Sequence, residues 1–144
     1  MIVIRKANKS DIDAIHYIEK ESFSDFYPSS FLEDLFEKNH DFFVISVDGN
    51  IVGYAVTKIK TGGIVHIVAI AVLSKYRNKK LGTKFLGSIH DYYNASKTNY
   101  FFLEVKNNNE KAIRLYKSLG YNISEFRKNY YPDMSHAFLM KRKL

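Results

Sequence analysis

Three side chains that can exchange protons stand in patterned parts of the chain: His66, Glu104 and Tyr116. His66 is the one break in the apolar run Ile64–Leu73, and Glu104 interrupts the apolar run Phe101–Val105. Imidazole, carboxylate and phenol groups are common general acids and bases. Each also has a structural explanation: a satisfied core histidine, a carboxylate on a solvated face, and an aromatic on the inward side of a helix. The residue types are therefore compatible with proton-transfer chemistry or with ordinary packing.

A basic loop, residues 74–80, follows the first apolar run and could bind an anion. The run is rich in β-branched residues and too short to span a bilayer, so it predicts a buried central strand. Leu81, Phe85, Ile89 and Tyr92 then recur on one face of a helix. Free backbone N–H groups and the helix dipole meet at such a helix start, which favours phosphate. An ordinary connection with solvated lysines fits the same layout.

The composition is that of a globular protein with one domain. The chain has 144 residues, 46% hydrophobic and 15% aromatic, which is enough to bury a core. The absence of cysteine excludes disulfides, thiolate metal sites and a cysteine nucleophile. A net charge of +7 indicates an anionic partner, either nucleic acid or a polyphosphate cofactor, and the scattered charges weaken the nucleic-acid alternative. No signal peptide or transmembrane segment is evident, so we expect a cytoplasmic protein without membrane partners.

The predicted elements follow the order β-α-α-β-β-β-α-β-α-β-β. Strands are expected at Ile2–Arg5, Asp41–Val47, Ile51–Lys60, Ile64–Leu73, Tyr100–Val105, Tyr121–Lys128 and His136–Arg142. Helices are expected at Ile12–Ser22, Ser29–Lys38 and Lys80–Tyr93. A fourth helix is expected to begin after possible N-caps at residues 107–109 and to end at Leu119.

Turn and cap residues support these boundaries. Ser10 or Asn8 can cap the first helix. The sequence at residues 48–50, Asp-Gly-Asn, is a hairpin turn signal. Gly120 is suited to a left-handed C-terminal cap. We therefore expect an α/β (α+β) fold with a mixed central sheet of about six to seven strands and four flanking helices.

Several stretches resemble the GNAT superfamily of N-acetyltransferases, in its protein N-terminal acetyltransferase group. Residues 77–82, Arg-Asn-Lys-Lys-Leu-Gly, resemble the pyrophosphate loop Gln/Arg-x-x-Gly-x-Gly/Ala, with Lys80 in place of the first glycine. Residues 66–72 resemble the central strand, and residues 103–121 the second signature. Residues 127–131 and 137–141 are similar to the final hairpin of RimI-type and NatA-catalytic-subunit-type enzymes. The resemblance covers essentially the whole chain and implies one GNAT domain, residues 1–144.

The resemblance implies acetyl-CoA as the cofactor and no metal. The coenzyme A contacts that it implies are Ile70, Ala71, Val72, Arg77, Asn78, Lys79, Lys80, Leu81, Gly82, Thr83, Asn109 and Tyr116. Backbone amides near Ala71 and Val72 would hold the thioester carbonyl. Asn109 is expected to be a helix cap first and a cofactor contact second.

The resemblance also implies catalytic and substrate-binding roles. Tyr116 would protonate the coenzyme A sulfur, and Glu104 and His66 would pass the amine proton through a water. The substrate-binding residues would be Phe23, Tyr27, His66, Glu104, Tyr130 and Tyr131. From the residues alone, an aromatic loop such as that near Phe23 is more often a core plug than a binding surface. The aromatic pair in the last hairpin could be ordinary hairpin residues.

The sequence thus predicts an acetyl-CoA-dependent N-acetyltransferase that acts on protein N-terminal α-amines by direct transfer in a ternary complex. A ribosomal protein is one acceptor that the RimI-type resemblance implies. The alternatives are acetylation of a small amine or a lysine side chain, a non-catalytic acyl-CoA sensor, and a nucleic-acid-binding module. The aromatic hairpin and the absence of an evident acidic pocket argue against a small amine. The presence of both Glu104 and Tyr116 argues against a sensor.

Overall fold

The computed structural model describes residues 1–23, 26–77, 80–94 and 97–143. The strands are β1 (Ile2–Lys6), β2 (Asp41–Val47), β3 (Asn50–Lys60), β4 (Ile64–Val72), β5 (Tyr100–Lys106), β6 (Asn122–Arg127) and β7 (Ala137–Lys143). The α-helices are α1 (Ile12–Ser22), α2 (Ser29–Glu37), α3 (Leu81–Asn94) and α4 (Glu110–Ser118). The predicted element order is confirmed, with boundaries that agree to within about one residue. No helix in the described ranges is long and apolar enough to cross a membrane.

The strands form a mixed sheet, as predicted, in the order β1-β2-β3-β4-β5-β7-β6. β4 and β5 pair in parallel, joining Ile64–His66 to Tyr100–Phe102. β7 pairs antiparallel with both β5 and β6. A parallel pair requires a long crossover connection, which here contains α3. The position of α3 between β4 and β5 in the chain is therefore consistent with their parallel pairing.

The chain divides into two compact units. One comprises Met1–Lys58 and Val68–Tyr92, and the other comprises Ile59–Ile67 and Tyr93–Leu144. The core of the first unit contains Ile15, Ile18, Leu32, Phe42, Val44, Tyr54, Val56 and Ala71. In the second unit, alternate residues of β5 are buried, and Tyr93 packs edge-on against Phe101 at 6.2 Å between ring centroids. Each large apolar side chain buried in this way contributes about 1.5–3 kcal/mol relative to exposure.

The caps and turns agree with the chemistry of their residues. Asn8, not Ser10, caps a short 3-10 turn, Lys9–Asp11, where its side chain and that of Asp11 form a capping box. This turn precedes α1, whose own N-cap residue is Asp11, without a side-chain cap bond. Asp48 and Gly49 both have positive φ, 50° and 86°, as a tight hairpin turn requires. Gly120 has φ of 93° after α4, so the predicted left-handed cap is confirmed.

The predicted inward face of α3 is wrong at one position, Tyr92. Leu81, Phe85 and Ile89 are buried, but Tyr92 is 51% exposed whereas Tyr93 is 2% exposed. The buried residues of this helix also include Leu86 and His90, so at about 100° per residue the buried face is centred nearer Tyr93 than Tyr92. Tyr92 instead lies edge-on against Phe43, with 5.3 Å between the centroids.

Candidate active site

The side chains of His66 and Glu104 meet on one face of β4 and β5. His66 pairs with Phe102 in the parallel ladder, and Glu104 lies two residues further along β5 on the same face. Nε2 of His66 is 3.0 Å from Oε2 of Glu104, which is a hydrogen bond. The two side chains are 16% and 12% exposed, so the pair is largely desolvated yet still reachable. Two proton-exchanging groups are thus directly connected.

The ring of His66 is held in place by its neighbours. It stacks on Phe102 with 4.2 Å between centroids and 8° between planes. The two side chains make direct contact because adjacent parallel strands bring them within bonding distance. A proton can therefore pass between the imidazole and the carboxylate. The water that the resemblance implies near the amine stays a prediction.

The aromatic Tyr130 lies within electrostatic reach of this pair. Partial burial and the Glu104 carboxylate raise the pKa of Tyr130, and Arg127 lowers it in part. The Arg127 guanidinium carbon is 5.7 Å from the Tyr130 ring centroid, and its Nη2 donates to Glu125 at 3.1 Å. Tyr130 is therefore held beside the Glu104 carboxylate by a cation that is itself ion-paired.

A β-bulge sets the face on which Arg127 lies. The register of β6 on β7 shifts between Ile123 and Glu125. After the shift Arg127 pairs with Ala137, which in turn pairs with Lys106 on the Glu104 face of β5. Because side chains alternate along a strand, the extra residue moves Arg127 to this face. Sequence reasoning did not assign Arg127 a role, and an alternation pattern without a visible bulge could not have found it.

Tyr131, the second tyrosine predicted to bind the substrate, lies in the connection between β6 and β7. Tyr131 lies edge-on to Tyr130 at 5.1 Å, and the Lys106 ammonium is 5.4 Å from its ring centroid. Asp133 accepts hydrogen bonds from the backbone and side chain of Ser135. These bonds, chiefly that from the hydroxyl, lower the pKa of Asp133 to about 2. The tyrosines therefore stand on a turn with its own hydrogen-bonded support.

Tyr116 lies on α4 and is half-buried. Its ring lies against that of Tyr121, with 5.9 Å between centroids. Burial raises the pKa of Tyr116 to about 12. Its phenol thus stays protonated through the neutral range. Asn109 caps the same helix, since its Oδ1 accepts from the Ala112 N–H at 3.2 Å, so the predicted cap is confirmed while its cofactor contact remains a prediction.

In the other unit, the end of β4 carries the predicted thioester contacts. Ala71 and Val72 are buried, and Ile70 is half-buried. The backbone of β4 approaches β3 so closely that a Cβ on Gly53 would lie 2.9 Å from the Ala71 oxygen. Glycine is therefore required at position 53, because any side chain would push β4 away. Arg77 donates from Nε to the Val72 oxygen at 2.8 Å, which fixes the turn after β4.

The start of α3 has the features of an anion site. Lys80 adopts a left-handed conformation, with φ of 59°, at the position where the family pattern has glycine. The Lys84 N–H donates to the Lys80 oxygen at 3.1 Å. The first N–H groups of an α-helix generally have no acceptor within the helix. Lys80 and Lys84 are exposed beside them. These groups fit a pyrophosphate, since backbone donors, helix dipole and ammonium groups all favour negative charge.

The remaining residues predicted for this loop differ in accessibility. Gly82 and Thr83 are half-buried, whereas the side chain of Leu81 is buried in the core, so a cofactor could contact Leu81 only through its backbone. Asn78 and Lys79 lie outside the described residues.

The aromatic loop between α1 and α2 presents its rings to solvent. Phe23 and Tyr27 are each 40% exposed, so they are not core plugs. The Tyr27 ring lies 4.6 Å from that of Phe31. The backbone N–H of Tyr27 donates to Oε2 of Glu19 at 2.9 Å. This loop can therefore offer an aromatic surface whose backbone is tied to α1.

Comparisons with known proteins agree with this fold. Residues 12–121 match the Acetyltransferase (GNAT) family. The chain is 36% identical to an N-alpha-acetyltransferase of Sulfurisphaera tokodaii, over 98% of this chain and 92% of the relative. It is 35% identical to an uncharacterized N-acetyltransferase of Methanocaldococcus jannaschii, over 99% of this chain and 92% of the relative. The crystal structure of the ribosomal-protein-S18-alanine N-acetyltransferase from Escherichia coli superposes with a TM-score of 0.93 at 26% identity, covering 99% and 94% of the two chains.

The family match over residues 12–121, on a seven-stranded mixed sheet, identifies the chain as an acetyltransferase. The chain belongs to the GNAT family of acetyltransferases, which use acetyl-CoA.

Proposed function

We propose that the chain transfers the acetyl group of acetyl-CoA to the N-terminal α-amine of a protein, directly and in a ternary complex. The observation that carries this proposal is the hydrogen-bonded pair of His66 and Glu104, set on one face of the sheet and only partly exposed. A free α-amine has a pKa near 8, against above 10 for a lysine amine. An α-amine therefore needs less help than a lysine amine to lose its proton, and the pair can accept that proton.

The names of the similar proteins support the same reaction. The relative from Sulfurisphaera tokodaii is named an N-alpha-acetyltransferase, and the Escherichia coli structure is named for the alanine of a ribosomal protein. An N-terminal α-amine is the group common to both. A ribosomal protein is accordingly one acceptor that we propose to test.

In this proposal the donor is held at the start of α3. Acetyl-CoA supplies the acetyl group as a thioester, an activated acyl donor. Lys80, Lys84 and the first N–H groups of α3 hold the pyrophosphate by charge and by backbone hydrogen bonds. Backbone amides at Ala71 and Val72 then stabilise negative charge on the carbonyl oxygen.

In this proposal two proton transfers take place, one at Glu104 and His66 and the other at Tyr116. Glu104 and His66 receive the proton that the amine loses, and their direct bond shares it between carboxylate and imidazole. Tyr116 gives a proton to the departing thiolate, for which a phenol that stays protonated near neutral pH is suited. The rings of Phe23, Tyr27, Tyr130 and Tyr131 contact the acceptor peptide, a role that the exposure of the first three and the half-buried position of Tyr131 support.

The test is acetylation of a peptide library that varies the first two residues, with acetyl-CoA as donor and mass spectrometry as readout. We expect peptides acetylated at the α-amine, with a preference among the first residues. Binding of coenzyme A without acetylation of any peptide would instead identify an acyl-CoA sensor. Acetylation confined to small amines would identify the small-amine alternative.

A further inference from the structure

A buried carboxylate that takes no part in the proposed chemistry links α1 to the aromatic loop. Glu19 is 2% exposed and lies among the apolar residues of α1. Its Oε1 accepts a hydrogen bond from the hydroxyl of Tyr54, on β3, which is itself fully buried. Its Oε2 accepts from the backbone N–H of Tyr27 at 2.9 Å. Both carboxyl oxygens are thus engaged by groups eight and 35 residues away.

Burial of a carboxylate is costly unless donors satisfy it. The Tyr27 N–H and the Tyr54 hydroxyl are the donors that satisfy the Glu19 carboxylate. Burial, and then the nearby Glu19 carboxylate, raise the pKa of Tyr54. Because Glu19 is almost inaccessible, it does not touch a substrate. What it controls is where the backbone of Tyr27 lies.

We propose that Glu19 is a positioning residue, which ties the backbone of Tyr27 to the core of its unit and thereby sets the affinity for the acceptor peptide. The proposal rests on the proposed function, in which the exposed ring of Tyr27 contacts the acceptor. The core tyrosine fixes the carboxylate, and the carboxylate fixes the loop. Loss of the link frees the ring without altering the chemistry at His66 and Glu104.

The hydrogen-bond geometry predicts which substitutions are tolerated. Glu19→Gln can keep both bonds, because its oxygen can accept from the Tyr27 N–H while its NH₂ donates to the Tyr54 oxygen. The Tyr54 hydroxyl can reverse its role in this way, but a backbone N–H cannot. Glu19→Ala removes both bonds. Tyr54→Phe removes one and leaves the carboxylate with the Tyr27 N–H alone.

The experiment measures KM for peptide and for acetyl-CoA in these variants, with Glu21→Ala, at an exposed position of α1, as the matched control. We expect Glu19→Ala to raise the peptide KM about tenfold, with kcat and the acetyl-CoA KM little changed. Glu19→Gln and Glu21→Ala should stay near wild type. Equal losses in Glu19→Gln and Glu19→Ala, or an unchanged peptide KM in folded Glu19→Ala, would overturn the proposal. If Glu19→Ala does not fold, Tyr54→Phe decides: a raised peptide KM supports the link and an unchanged one overturns it.

A second readout separates this inference from the proposed function. Hydrogen exchange at the Tyr27 amide should be slow in the wild type and faster in Tyr54→Phe, whether or not the protein acetylates a peptide. Fast exchange at Tyr27 in the wild type would overturn the anchoring itself. Slow exchange together with an absence of peptide acetylation would leave the anchor in place and refute the proposed function.

Discussion

Nε2 of His66 and Oε2 of Glu104 lie 3.0 Å apart although 38 residues separate them in the chain. The contact exists because β4 and β5 pair in parallel from Ile64 to His66. The last pair joins His66 to Phe102, and Glu104 lies two residues after Phe102 on the same face of β5. Neither side chain is deeply buried. Two groups in this relationship should behave as one functional unit.

That unit predicts non-additive kinetics. Glu104→Gln and His66→Gln should each lower kcat about a hundredfold, because each removes one end of the proton path. The double variant should lose little more than either single one. The measurement is kcat at saturating substrates, with thermal unfolding to confirm that each variant is folded. Losses that multiply would show that the two side chains act independently.

Tyr116→Phe removes only the proposed acid. We expect acetyl-CoA affinity to be retained and turnover to fall by about a hundredfold to ten-thousandfold, the range that general acid catalysis typically contributes. Tyr121→Phe is the matched control, since it removes the hydroxyl group from the neighbouring ring. Near-normal turnover in Tyr116→Phe would leave Tyr116 as a packing residue.

The raised pKa of Tyr116 predicts the alkaline behaviour of the enzyme. An acid works only while protonated, and burial moves the pKa of Tyr116 from 10.0 to about 12. Its contribution is therefore complete at neutral pH, still present at pH 10, and lost only as the pH rises toward 12. Turnover measured between pH 7 and 10.5 should show no decline that depends on Tyr116. A decline centred near pH 10 in the wild type, and absent from Tyr116→Phe, would contradict the assignment.

Lys80 carries both a charge and a strained backbone. Its φ of 59° suits glycine, so Lys80→Gly should be about 1 kcal/mol more stable than Lys80→Ala, which keeps the strain. Both variants lose the ammonium group and should bind coenzyme A more weakly by a similar factor. Urea unfolding and thermal shift with coenzyme A measure the two effects. Equal stability of the two variants would show that the left-handed conformation is not costly at this position.

The elements could be predicted because their periodicities are strong. The apolar runs of β4 and β5 each fit one kind of element, so their ends agree with the structure to within about one residue. His66 and Glu104 were visible for the same reason, as polar side chains in apolar runs. The error at Tyr92 arose because the face that α3 buries also includes Leu86 and His90, which moves its centre toward Tyr93.

Other parts of the site depend on register and distance, which the sequence does not encode locally. Arg127 reaches the Glu104 face only because of the β6 bulge, and a one-residue shift changes the face of every later side chain. Glu19 was visible as a carboxylate beside Ile15 and Ile18, but its partner Tyr54 is 35 residues away. Long-range pairing of this kind follows from the folded sheet, not from a pattern along one element.

The most direct test uses one peptide that carries both a free N-terminal α-amine and an internal lysine, together with acetyl-CoA. A second peptide of the same sequence has its N-terminus formylated. Fragmentation mass spectrometry locates the acetyl group in each. The account predicts acetylation of the first peptide at its α-amine and none of the second. Acetylation of the lysine side chain in both peptides, or of neither peptide across a range of first residues, would contradict it.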